Sequence, residues 1–106
     1  MLKLTFALTG GGERTRLAVT GEIDLANRES LISTALGALE DTTSLLEIDL
    51  SDVTFCDSSG VSGLIALHRI AANEGKRMMI TNPQRRVERT LEIAGLLDLL
   101  TVPPPK

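Results

Sequence analysis

EIDLSDVTFCDSSGVSGLIALH, residues 47–68, is the stretch whose reading decides the fold of this chain. Leu46, Ile48 and Leu50 alternate with charged or polar residues as a strand requires, and Val53 and Phe55 carry the apolar pattern onward. Asp57-Ser58-Ser59-Gly60 breaks it, and beyond the break Val61, Leu64, Ile65 and His68 recur at helical spacing. A strand therefore passes through a short polar connection into a helix, with Ser58 or Ser59 placed to act as the N-cap. A hydroxyl there faces unpaired backbone amides, so the pair reads in two ways. It is a plain helix cap, or it is a phosphorylation switch, because the dipole and free N–H groups of a helix start tolerate an added phosphate.

The same logic extends in both directions. Upstream, Leu2, Leu4, Phe6 and Leu8 share one strand face, Gly10-Gly11-Gly12 supplies a turn, and Leu17 and Val19 mark a second strand. These two are expected to form an antiparallel hairpin. After Gly21-Glu22-Ile23-Asp24, the residues Leu31, Ile32, Ala35, Leu36 and Leu39 form a helical stripe, with Asp24 as its expected cap. Downstream, the helix begun at about Gly60 runs to Asn73 and stops at Gly75, and a strand follows over 76–81. Asn82-Pro83 opens a third helix carrying Val87, Thr90, Leu91 and Ala94 on one face and ending at Gly95. A last strand is expected over 97–102, before three prolines that cannot continue a ladder.

That order, two strands and then helices alternating with strands, predicts an α/β fold. An N-terminal hairpin would join a mostly parallel sheet of about five strands with three helices. With 106 residues, 42% of them hydrophobic, the chain is one domain over 1–106 that buries its own core without staples. Its two Phe and no Trp or Tyr leave the core to aliphatic side chains and argue against stacking on nucleotide bases. A net charge of −3 argues against nucleic-acid binding in general. Arg85, Arg86 and Arg89 are the one basic cluster, read as a solvated helix face or as a contact for an acidic partner.

The single cysteine, Cys56, excludes an intrachain disulfide, fits a reducing compartment and reads as a small core residue, its thiolate disfavoured by Asp57. The N-terminal apolar residues alternate, which reads as a strand and not as a signal peptide, and no run is long enough to span a bilayer. A cytoplasmic protein without membrane contact is the expectation.

Catalytic chemistry finds little support. Asp24, Asp49, Asp52 and Asp57 are the type of carboxylates that bind metals or act as nucleophiles near strand ends. His68 nevertheless stands alone, and a Ser-His-Asp arrangement would have to use a histidine remote from Ser59. A phosphoryl-accepting receiver would need an acidic pair after its first strand, where this chain has Thr9 and three glycines. No phosphate-cradling loop ends in Lys and Ser or Thr. No metal, no cofactor and no enzymatic activity are expected.

Taken together, Gly-Glu-Ile-Asp at 21–24, Asp-Leu-Ser-Asp-Val at 49–53, Phe55 with Asp57-Ser58-Ser59-Gly60, and Ala94-Gly95-Leu96 resemble the STAS domain family, specifically the bacterial anti-sigma factor antagonists. The resemblance covers nearly the whole chain. It implies that Ser59, the hydroxyl residue before the glycine, is phosphorylated by a partner that is both anti-sigma factor and serine kinase, with Ser58 as the alternative. It further implies a partner-switching cycle: the unmodified protein binds the kinase and frees a sigma factor, phosphorylation releases it, and a PP2C-type phosphatase resets it. Glu22, Asp24, Asp57, Ser58 and Gly60 are the expected partner-binding residues. The alternative function is a STAS scaffold or regulatory subunit of a stressosome or transporter assembly. Many members carry a fourth, C-terminal helix that this sequence lacks by its reading. Weak homodimerisation through an uncovered patch of Leu97, Leu99, Leu100 and Val102 follows from that reading.

Overall fold

The computed structural model describes residues 4–101. The elements are β1 (Thr5–Ile23), α1 (Arg28–Glu40), β2 (Thr42–Cys56), α2 (Ser58–Asn73), β3 (Arg77–Thr81), α3 (Arg85–Ile93) and α4 (Leu97–Thr101). The sheet has three strands in the order β1-β2-β3, and both pairings are parallel, with Leu17 opposite Ile48 and Ile48 opposite Ile80. Parallel neighbours need a crossover, and α1 and α2 supply it.

One face of the sheet presents Leu17, Val19, Leu46, Ile48, Leu50, Met78 and Ile80, all buried. Against it pack Leu31, Ala35 and Leu39 of α1, Leu64, Leu67 and Ala71 of α2, and Val87 and Leu91 of α3. Each fully buried aliphatic side chain stabilises the fold by about 1.5–3 kcal/mol relative to exposure. The period-2 and helical stripes of the sequence thus meet in a single core.

The polar positions are accounted for. Buried Thr42 donates its hydroxyl to Ala38 O and lies 2.7 Å from the hydroxyl of Thr15, closing the end of α1 onto β1. Lys76 Nζ donates to Leu39 O at 2.8 Å, putting a cation at the C-terminal end of α1, where the helix dipole favours one. Buried Asp49 accepts from the Arg16 guanidinium, from Ser51 N at 3.0 Å and from Asn82 Nδ2 at 3.3 Å, joining β1 to the turn after β3. Burial pushes the Asp49 carboxyl up, but these donors together outweigh it and hold its pKa below the ordinary value; the pKa of Arg16 is raised by the same pair.

Gly75 and Gly95 terminate α2 and α3 as expected. Each has positive φ, +72° and +74°, and each is followed by the pair of bonds of a Schellman motif: Gly75 N to Ala72 O with Lys76 N to Ala71 O, and Gly95 N to Glu92 O with Leu96 N to Leu91 O.

Expectations for the sheet and for the tail are corrected. The sheet has three strands, not about five, and the segment in which an antiparallel hairpin is expected is a single element, Thr5–Ile23, paired with β2. Gly10–Gly12 still turn the chain, all with positive φ, and a Cβ on Gly10 would lie 2.9 Å from Arg14 O, a spacing an extended backbone does not allow. The expected last strand is instead α4 at Leu97–Thr101, so a C-terminal helix is present, if short. Gly95 makes the difference, because the Schellman turn redirects the chain and Leu100 then drops into the core with no exposed area. Leu97 also packs against that core. Of the patch expected to drive self-association, Leu100 is therefore buried by the chain itself and Leu97 half-buried; Val102 and the side chain of Leu99 lie outside the described residues.

Candidate functional site

β1 and β2 run parallel to their ends, Ile23 opposite Cys56, so the turns that follow them emerge side by side. The connection is direct: Asp57 N donates to Ile23 O at 3.1 Å. The sequence-predicted residues Glu22, Asp24, Asp57, Ser58, Ser59 and Gly60 are thereby brought to one end of the sheet.

The cap of α2 differs from expectation. Asp57, not Ser58 or Ser59, is the N-cap; it has extended backbone (φ −86°, ψ −175°) and its Oδ1 accepts from Gly60 N at 3.0 Å. Asp57 O accepts from Val61 N at 3.0 Å. Both serines move into the first turn of α2, Ser58 exposed and Ser59 half-buried. Their hydroxyls are spared from capping, which the sequence reading had them perform. The signal that would have found this is Asp three residues before Gly60, an ordinary side-chain-to-third-amide spacing.

Gly60 is buried, and its lack of a side chain is required: a Cβ would lie 2.6 Å from Cys56 Sγ and 2.7 Å from Ile23 Cγ2. Its place at the site is beneath the surface, where it lets α2 start against the ends of β1 and β2. Cys56 is buried below it, and burial, with a smaller contribution from the Asp57 charge, pushes its thiol up to about 12.

The facing turn is held by a residue the sequence reading missed. Asn27 is the N-cap position of α1, where Asp24 had been expected, and makes no side-chain bond into its own helix. It faces backwards instead. Asn27 Oδ1 accepts from Asp24 N at 2.8 Å, Asp24 Oδ1 accepts from Asn27 N at 3.1 Å, and Asn27 Nδ2 donates to Glu22 O at 2.6 Å. The spacing Asp24-x-x-Asn27 between a strand and a helical stripe is the signal for this reciprocal turn. The Glu22 side chain is exposed, and exposed Leu25 and Phe55 (74% and 37%) add apolar area at this end of the molecule.

The arrangement offers binding and modification chemistry. Asp49 is taken up by Arg16, Ser51 and Asn82, and Asp57 by its cap, so neither carboxylate stands beside a base. Among the described residues no three His, Cys, Asp or Glu side chains gather as a metal site, and no helix is long and apolar enough to cross a membrane. Arg85, Arg86 and Arg89 lie exposed on α3, away from the Ser59 turn in the element order.

Comparison with known proteins agrees with this geometry. The sequence model of a family described as "Mlab, STAS domain" matches residues 6–101. The anti-sigma-B factor antagonist of Bacillus subtilis (strain 168) is 27% identical over 88 residues, covering 79% of this chain and 76% of that protein. A crystal structure of an anti-sigma factor antagonist from Mycobacterium paratuberculosis superposes with a TM-score of 0.80 at 24% identity, covering 98% of this chain and 87% of that one. The anti-sigma factor antagonist SpoIIAA in its unphosphorylated form superposes with a TM-score of 0.76 at 20% identity, covering 96% and 90%.

Proposed function

Because the chain belongs to the STAS domain family, we propose that it is an anti-sigma factor antagonist, a binding module and phosphorylation substrate and not a catalyst. In its unmodified form it binds an anti-sigma factor that is also a serine kinase, and so frees a sigma factor. The kinase then transfers the γ-phosphoryl group of ATP to Ser59 Oγ, the serine proton is lost, and the complex dissociates. A PP2C-type phosphatase restores the serine. The cycle takes place in the cytoplasm and calls on neither metal nor cofactor held by this chain.

The observation that carries the reading is the placement of Ser59: in the first turn of α2, half-buried, relieved of capping by Asp57, and beside the Glu22–Asp24 turn through the Asp57–Ile23 bond. The named relatives support it, one an antagonist of an anti-sigma factor by sequence and one distinguished by its unphosphorylated state. Glu22, Asp24, Ser58 and the solvent side of Asp57 form the surface presented to the kinase, and Gly60 holds that surface in place from below. A phosphate adds about −1.5 to −2 charges at neutral pH to a surface already acidic, which is enough to reverse a charge-matched contact.

Incubation with ATP and a candidate anti-sigma serine kinase, followed by intact mass and peptide mapping, tests this. One phosphate is expected, on Ser59, retained in Ser58→Ala and absent from Ser59→Ala. A phosphate on Ser58, or none with any such kinase, would overturn the assignment.

A further inference from the structure

The geometry points to Arg28 as the cation that receives the phosphate of modified Ser59. This inference rests on the proposed modification of Ser59 and assigns that site a residue on a different helix. Ser59 and Gly63 are four apart in α2, which puts them on one face with their Cβ directions about 5–6 Å apart. The Gly63 position is occupied from α1: a Cβ built there would lie 3.4 Å from Arg28 Cγ, 3.7 Å from Arg28 Nε and 3.6 Å from Ile32 Cδ1. The stem of Arg28 therefore lies across α2 one turn below Ser59, on the side that Ser59 shares.

Arg28 is the first residue of α1, and its side chain leans towards the N-terminal end of its own helix, which, because β1 and β2 are parallel, is the end of the sheet where α2 begins with Ser59; from a stem held at Gly63 the guanidinium can turn to a group added to Ser59 Oγ. The Arg28 side chain is 27% exposed, so its stem is held while its head is reachable. In the unmodified protein that head donates from Nη1 to Glu29 Oε1 at 3.0 Å, and the Glu29 side chain is 83% exposed. An exposed pair between chain neighbours contributes little, whereas a dianionic phosphate accepts two parallel guanidinium bonds, so the exchange from Glu29 to the phosphate is favourable. Arg28 also answers the repulsion that Asp57 and Asp24, at the same end of the sheet, impose on the phosphate. In this account phosphorylation ties α1 to α2 across their seam and turns the new charge towards Arg28.

Phosphoserine installed at position 59 during synthesis, with the second ionisation followed by phosphorus NMR, tests this without a kinase. The free group titrates near pH 6. Arg28→Gln should raise the apparent value by about half a unit relative to the otherwise wild-type phosphoprotein, Arg28→Lys should retain part of the difference, and Glu29→Gln should lower the value, since it frees Arg28. Asp57 and Asp24 are present in every variant and cancel in the differences. Thermal melts establish that each variant is folded, and Glu29→Gln leaves the Arg28 stem on Gly63 untouched. The same pKa in the wild-type, Arg28→Gln and Glu29→Gln phosphoproteins would overturn the inference while leaving kinase modification of Ser59 standing. Failure of any kinase to modify Ser59 would overturn the functional reading while leaving this measurement intact.

Discussion

Asp57 N donates to Ile23 O at 3.1 Å, so the turn leaving β1 and the start of α2 are fastened together by backbone alone. Side-chain substitutions around the site can alter its charge without dissolving this join, provided that the room beneath it is kept.

Gly60 is where that room is narrowest. Gly60→Ala places a methyl 2.6 Å from Cys56 Sγ and 2.7 Å from Ile23 Cγ2, and is expected to destabilise the fold by about 1–3 kcal/mol, as overpacking generally does. Cys56→Ala in the same chain should recover part of this, because it removes one of the two colliding atoms. Chemical denaturation of the single and double variants measures both.

Capping by Asp57 separates the stability of α2 from the proposed modification of Ser59. Asp57→Ala should cost about 1 kcal/mol through the lost bond to Gly60 N, whereas Ser59→Ala, which removes no cap, should change stability by less than about 0.5 kcal/mol. Thermal melts compared at one pH would show the order. A larger loss in Ser59→Ala would return the cap to the serine.

Asp49 makes the fold sensitive to acid. Its pKa is depressed in the folded state, so its contribution is present above the unfolded carboxyl value near 3.9 and is lost as pH falls through the lower folded value. Stability of the wild type should therefore fall more steeply below about pH 4 than that of Asp49→Asn. At neutral pH Asp49→Asn should cost about 1–3 kcal/mol, since the bond from Arg16 loses its charge. Urea titrations between pH 2 and 7 read both effects.

The Cys56 thiol, pushed up to about 12, should resist iodoacetamide at pH 8 and react only as fast as the chain opens. Its folded pKa lies above the unfolded value near 8.5, so this contribution is whole below that pH and is lost as pH rises from there towards the folded value. Cys56→Ala should show a flatter decline of stability above pH 8.5. Rapid alkylation of the native protein would place the thiol at the surface.

Much of this was legible in the sequence because it rests on local rules. The alternation through Leu46, Ile48 and Leu50 and the helical stripe of Leu31, Ala35 and Leu39 mark the buried faces, and Gly75 and Gly95 mark helix ends. The turns defeat local reading where two acceptable residues compete: Asp57 rather than Ser58 or Ser59 caps α2 because its side chain reaches Gly60 N, and Asp24 bonds Asn27 N in a reciprocal turn before α1 instead of capping the helix. At the tail, the leucine-rich segment Leu97–Thr101 suits a strand or a helical turn alike, and only the Gly95 motif and the burial of Leu100 select the turn. Arg28 over Gly63 is a tertiary contact with no sequence signature.

The measurement closest to the central claim is titration calorimetry of this protein against a candidate anti-sigma serine kinase. The unmodified protein should bind. Glu22→Lys, which alters an exposed charge on the proposed surface, should weaken binding by about 1–3 kcal/mol, mostly through faster dissociation. Ser59→Asp should melt like the wild type, since Asp57 still caps α2, yet bind about 10–100-fold more weakly. Binding of Ser59→Asp as tight as that of the unmodified protein would contradict the account.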